Sequence, residues 1–201
     1  ATVEAVTRRL RGEVTVLEPR KMWPGGAFGS RGRIPAGLMA ETGRVIVYAD
    51  APEWRELVAS AFVRDCAPSQ ELRDAAVGAL GHWRDSWPAR PGVVVSLPAA
   101  GYPLMTGGLA DHLAQVGQLG RADLTVAMDP SAALDLSSSQ EAALWRDAIR
   151  VNDELLSAVS GKVVLLLVDA SSSQWPITVA AAHLRQAEAS MVLPLLVHRR
   201  P

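Results

Sequence analysis

Residues 163–178 read VVLLLVDASSSQWPIT, and this stretch decides how the rest of the chain is arranged. An apolar run from Val163 to Val168 ends in one carboxylate, Asp169, followed by Ala170, Ser171, Ser172, Ser173 and Gln174. A run apolar on both faces reads as a buried parallel strand. The hydroxyls read as a tight loop, and the apolar periodicity that resumes at Ile177 reads as a helix. Strand, small polar loop and helix N-terminus make an anion site, because amide N–H groups without intrahelical partners converge where the helix dipole is positive. The same pattern also serves as an ordinary strand-to-helix turn, since Ser is a common N-cap. The residues alone leave both readings open.

Working outward, residues 93–97, 124–128, 163–168 and 191–197 are apolar runs of strand length. Between them, residues 107–116, most of 140–159 and 177–187 carry helical periodicity. Strict alternation predicts a parallel sheet with helices on both faces. In such sheets ligands lie beyond the carboxyl ends of the strands, where the strand order reverses. The loop after residues 93–97 contains Ala99, Ala100 and Gly101, small enough for a pyrophosphate to approach the backbone. No charged residue stands in that loop, and a tight turn explains it equally well.

Upstream, residues 1–89 read as a lead-in. It has a short apolar pattern over 3–10, a strand over 14–17, a Gly- and Pro-rich loop over 24–37 and a strand over 44–48. Two amphipathic helices follow, one from Pro52 to about residue 62 and one from Ser69 to about residue 87. Trp54, Trp83 and Trp87 are expected as packing anchors of these helices rather than as a base-stacking platform. His82 has no partner at metal-ligand spacing.

Charge divides the 201 residues unevenly. Residues 1–44 hold eight basic side chains against four acidic ones, a net of +4, so a total of -1 leaves -5 for the remainder. Arg20, Lys21, Arg31 and Arg33 are the candidates for contact with nucleic-acid phosphates, and a solvated basic surface is the plainer alternative. No apolar run approaches the roughly 18 residues that a membrane span requires. The single Cys66 forms no internal disulfide, and no Cys/His group has zinc spacing, which points to a reducing cytosol. The chain begins at Ala1 without a secretion signal, as expected of a piece of something longer. It contains no GxxxxGK[ST], so any ATP-driven motor lies elsewhere.

VVLLLVDASSSQWPITVAAAHLRQAEASMVLPLLV resembles the phosphoribosyl-pyrophosphate motif of type I phosphoribosyltransferases, and VVVSLPAAGYPLMTGGLADHLA is similar to their pyrophosphate-loop strand and helix. EPRKMWP, a Gly-rich segment and IPAG, followed by helices and this domain, resemble the C-terminal portion of RecQ-like DNA helicases of actinobacteria. High Ala and Arg with almost no Lys agrees with a GC-rich genome. The resemblance implies a three-layer parallel-sheet phosphoribosyltransferase-like α/β domain over residues 90–201, with residues 1–89 as a small α+β lead-in.

In that family two adjacent acids grip the ribose hydroxyls and a Thr/Gly loop holds the 5′-phosphate. Here Asp169 matches the first acid and Ala170 replaces the second. Ser171, Ser172, Ser173 and Gln174 stand where the loop belongs, with Thr178 just beyond. Ala99, Ala100 and Gly101 match the pyrophosphate loop. The missing acid, the missing loop glycine and Pro176, which removes a donor, imply a vestigial site without catalysis, retaining at most inorganic phosphate or sulfate. The function implied is an accessory domain of a RecQ-like ATP-dependent helicase in DNA repair, cytoplasmic and nucleoid-associated. It would meet DNA through its parent, dock a protein partner or contact DNA itself, and touch no membrane, with ATP and Mg²⁺ confined to the parent motor. The alternatives are a working phosphoribosyltransferase using phosphoribosyl pyrophosphate and Mg²⁺, and a free-standing nucleic-acid-binding module.

Overall fold

The computed structural model describes residues 14–48 and 52–201. The apolar pattern over 3–10 lies outside the described residues. The lead-in supplies β1 (Thr15–Leu17), the short strands β2 (Met22–Pro24) and β3 (Arg31–Arg33), and β4 (Gly43–Tyr48). Helices α1 (Arg55–Ala61) and α2 (Gln70–Trp83) follow. Then come β5 (Val93–Leu97), α3 (Pro103–Gly117), β6 (Gly120–Asp123), β7 (Thr125–Val126), α4 (Ser138–Ala148) and β8 (Ile149–Arg150). The chain closes with α5 (Asp153–Val159), β9 (Val163–Ser171), α6 (Trp175–Gln186) and β10 (Met191–Arg199).

The central sheet has six strands in the order β1-β4-β10-β9-β5-β6, parallel except for β1, which runs antiparallel to β4. The sheet therefore crosses the boundary between residues 89 and 90, because β4 pairs along β10. Gly43 is required at that seam: a Cβ there would collide with the Pro194 carbonyl oxygen. Side chains alternate across the pleat. Val164, Leu166 and Val168 of β9 enter the core shared with Trp145, Leu155 and Trp175, on the side of α4, α5 and α6. Leu165 and Leu167 enter the core shared with Leu57, Leu72, Trp83 and Leu109, on the side of α1, α2 and α3. Helices on both faces of a mostly parallel sheet make this a mixed α/β protein in three layers. Trp54 and Trp83 are buried in the second core as anchors, and Trp83 meets Trp87 edge-on at 6.0 Å between ring centroids.

Several expected elements shift. The strand expected over 124–128 is displaced: the sheet's edge strand is Gly120–Asp123, and only Thr125 and Val126 pair, in a small separate ladder with β8. An edge strand tolerates Arg121 and Asp123 because one of its faces meets water. The stretch over 140–159 breaks into two helices, and Asn152 starts the second by accepting from the Leu155 amide at 2.8 Å. The Gly-rich loop over 24–37 contains β3, which pairs with β2 at the loop's start, and Trp23 stacks on Phe28 at 4.8 Å.

Candidate functional site

The strand order reverses between β5 and β9, since β6 lies on the far side of β5 while the chain returns to place β9 on the near side. The crevice favoured for ligands therefore opens between the loops that follow these two strands. These are the loops singled out from the sequence, brought together at one edge.

Asp169 lies inside β9, which runs on to Ser171, and continues the row of Leu165 and Leu167 toward α3. It is completely buried. Its Oδ1 accepts from the Ala100 amide at 2.9 Å and the Ala170 amide at 2.8 Å. Its Oδ2 accepts from Ala100 at 3.0 Å and Tyr102 at 3.2 Å. One carboxylate thus staples the β5–α3 loop to the neighbouring strand. Burial pushes its pKa up to about 6, against the opposite pull of the Ala170, Ala100 and Tyr102 amides and of the Arg200 charge.

The rest of that loop is satisfied in the same internal way. The Ala99 amide donates to the Leu97 carbonyl at 2.9 Å and the Gly101 amide to the Pro98 carbonyl at 3.3 Å. Gly101 has φ of 87°, a backbone that L side chains rarely adopt. Pro103 has no amide to offer. Leu104 and Met105, in the first turn of α3, each donate to the Asp65 carboxylate at 3.0 Å. The Thr106 amide donates to the Tyr102 carbonyl at 2.9 Å, and the Tyr102 hydroxyl holds the Phe62 carbonyl at 2.7 Å. From Ala99 to Thr106 every N–H has an acceptor within the chain.

The β9–α6 loop is different. Its hydroxyls are engaged: Ser171 donates to the Ser173 carbonyl, Ser173 to Glu141 Oε1 at 2.5 Å, and Thr178 to the Gln174 carbonyl at 2.8 Å. The Trp175 amide donates to Ser173 Oγ at 3.1 Å. The amides of Ser172, Ser173, Gln174 and Ile177 meet no acceptor among the described residues. Ser172 is exposed, and Gln174 caps α6 without a side-chain bond.

Arginines surround this loop. Arg20 lies over the buried Trp175 ring at 4.1 Å from its centroid. Desolvation lowers its pKa, Glu141 raises it, and the nearby Arg199 lowers it further. Arg199 pairs with Ser171 in the ladder, and the Arg200 amide donates to the Ser171 carbonyl at 3.0 Å. Arg20 Nε and Arg199 Nη1 are buried donors with no acceptor among the described residues. Lys21, Arg31 and Arg33 stand apart from the crevice, exposed around β2 and β3. The register places Arg31 and Arg33 on the ribbon face opposite Trp23.

Sequence reasoning pointed to Asp169 and the serine loop but missed Asp65, Tyr102, Glu141, Arg199 and Arg200. Asp65, Glu141 and the pair Arg199 and Arg200 carry no local signal, since they reach the crevice from three separate segments, and Tyr102 acts through its backbone amide, which no side-chain pattern marks. No group of three or more His, Cys, Asp or Glu side chains able to hold a metal occurs among the described residues. No helix among them is long and apolar enough to cross a membrane. The fold and crevice define the class, a mixed α/β protein with a backbone-lined edge site. No protein-family model, curated protein or solved structure matches the chain.

Proposed function

We propose that this chain is a non-catalytic phosphoribosyltransferase-like module that serves as an accessory C-terminal domain of a RecQ-like ATP-dependent DNA helicase, retaining one phosphate seat. The observation that carries the reading is the internal saturation of the β5–α3 loop by Asp169 and Asp65. A pyrophosphate docks on free amides and on positive charge, and stabilising its developing charge is usually the largest catalytic contribution. Here the amides are engaged and the loop bears no cation. Asp169 accepts amides on both oxygens, and with Ala170 beside it the pair of acids for a Mg²⁺-bound ribose is absent.

The juxtaposition of the two loops at the ends of adjacent parallel strands supports the phosphoribosyltransferase-like reading of the fold. The open amides of Ser172, Ser173 and Gln174, flanked by Arg20 and Arg199, support a remaining seat for one phosphate. In this reading the motor, its ATP and its Mg²⁺ belong to the parent chain, and DNA reaches the module through that parent. The shared outward face of Arg31 and Arg33 favours direct contact with the DNA backbone as a second role.

Thermal melting separates these readings from the enzyme. Phosphoribosyl pyrophosphate with Mg²⁺ is expected to stabilise the protein no more than ribose 5-phosphate alone, and Arg199→Ala to remove both effects. A ligand at 100 times its dissociation constant adds about 2.7 kcal/mol, so a shift of that size seen only with the pyrophosphate and Mg²⁺ would overturn the proposal. Deleting the module from the parent should leave unwinding intact, and a loss of unwinding would exclude an accessory role.

A further inference from the structure

On the far side of the saturated loop, a cleft of about 490 Å³ opens over the ends of β5 and β6. It lies within the roughly 300–1,000 Å³ typical of small-ligand sites. Pro98, Pro103, Leu124, Val126, Met128 and Pro130 give it apolar walls, and Ser96 and Asp123 put a polar pair on one side. Ser96 is buried in the sheet and donates its hydroxyl to Asp123 Oδ1. Arg121 Nη2 reaches the same oxygen at 2.7 Å, while its Nε pairs with Asp111 at 2.8 Å. Two neighbours thus fix the Asp123 carboxylate in place, and its Oδ2 accepts from no described residue.

The charge does not balance. One guanidinium shared between Asp111 and Asp123 leaves one negative charge uncompensated. Asp129, between the lining residues Met128 and Pro130, adds another, and the Ser131 amide and hydroxyl hold its pKa below the usual carboxylate range. Across the small ladder, Arg150 stands opposite Thr125 and turns its guanidinium to the Asp147 carbonyl rather than to Asp123. A slot with apolar walls and one oriented, half-open carboxylate matches a cation at the end of an apolar stem, because the stem buries its methylenes while the head keeps a charged partner.

We infer that this cleft is a binding site for a small organic cation, an ammonium or guanidinium carried on an apolar stem and received by Asp123 Oδ2. The site is independent of the phosphate seat: it uses a different strand end, and its ligand has the opposite charge.

Chemical-shift titration of the intact chain tests it. The probes are butylguanidine, a guanidinium on a four-carbon stem, and butylurea, its uncharged counterpart. Butylguanidine is expected to move the amide signals of Thr125 and Val126. Butylurea should bind at least about tenfold more weakly, the equivalent of about 1.4 kcal/mol. Asp123→Asn should abolish butylguanidine binding. So should Met128→Lys, which supplies a tethered cation at the rim without altering the Ser96–Asp123–Arg121 set. Equal binding of the two probes, or butylguanidine binding that survives both substitutions, would overturn the inference. An acetylated Pro-Arg dipeptide amide serves as the second arm. Binding tighter than that of butylguanidine supports the site with a protein side chain as its source, and weaker binding supports it with a free small cation.

Discussion

The loop after β5 and the loop after β9 have the same plan, a buried strand ending in small residues that open a helix, yet they treat their backbone amides in opposite ways. In the first, Asp169 and Asp65 accept the N–H groups that an anion would need. In the second, Glu141 takes a serine hydroxyl and leaves the amides of Ser172, Ser173 and Gln174 open beside two arginines. A glycine- and serine-rich turn is therefore not in itself a ligand site. What decides is whether a carboxylate of the same chain already fills the position of the guest.

The comparison is broken most severely at Asp169. Replacing Asp169 with Ala leaves the Ala100, Tyr102 and Ala170 amides without the acceptor they share, and buried donors left unpaired cost about 1–3 kcal/mol each. A loss of about 4 kcal/mol in urea unfolding is expected, with accelerated hydrogen exchange at Ala100 and Tyr102 and none at Gln174. A loss below about 1 kcal/mol would mean that the loop holds itself closed without the staple.

The pH dependence sharpens the same contrast. With its pKa raised to about 6 in the folded protein, Asp169 binds a proton more tightly folded than unfolded. Its contribution is therefore fully present below about pH 4, the ordinary carboxyl range, and is lost as pH rises through about 6. Two pH units correspond to about 3 kcal/mol of differential interaction. Unfolding free energies of the wild type and Asp169→Asn between pH 4 and 7 should differ in slope, the wild type losing stability with rising pH relative to the variant. Parallel curves would show that the amides offset burial, and a wild type gaining stability with rising pH would show that they outweigh it.

The smallest effect belongs to Asp65, which is part-exposed and acts as a helix cap from a distance. Asp65→Ala should cost about 1 kcal/mol, in the range of lost N-caps, and should loosen the Leu104 and Met105 amides while β5 keeps its protection. Protection lost throughout β5 would show that the two acids act as one unit.

The layers of the fold were legible because burial dictates them. Val163–Val168 and, apart from Ser96, Val93–Leu97 are apolar on both faces, as a strand covered by helices on each side requires. The edge strand Gly120–Asp123 was not legible: Arg121 and Asp123 read as loop, and their partners Ser96 and Asp111 are distant in sequence. Apolar Leu124–Met128 drew the assignment instead, although Leu124 packs into the core from outside the sheet. At the crevice, the sequence singled out Asp169 by its place at the end of the strand. Its partners are backbone groups 67 and 69 residues away, and no side-chain pattern announces those. Arg199, on the last strand, escaped notice for a related reason, and Arg20, singled out from the lead-in only as a candidate for nucleic-acid phosphates, meets the crevice through the fold.

The Asp169 staple also constrains what this molecule could become. Freeing its carboxylate for a sugar would unfasten β9 from the β5–α3 loop before any new contact formed, so each single substitution toward ligand binding first passes through a less stable protein. A second acid at Ala170 would add like charge beside a group that burial already disfavours ionising. The staple thus acts as a ratchet: once folding relies on it, any substitution at Asp169 toward binding a sugar runs uphill, while the β9–α6 loop keeps its amides of Ser172, Ser173 and Gln174 open.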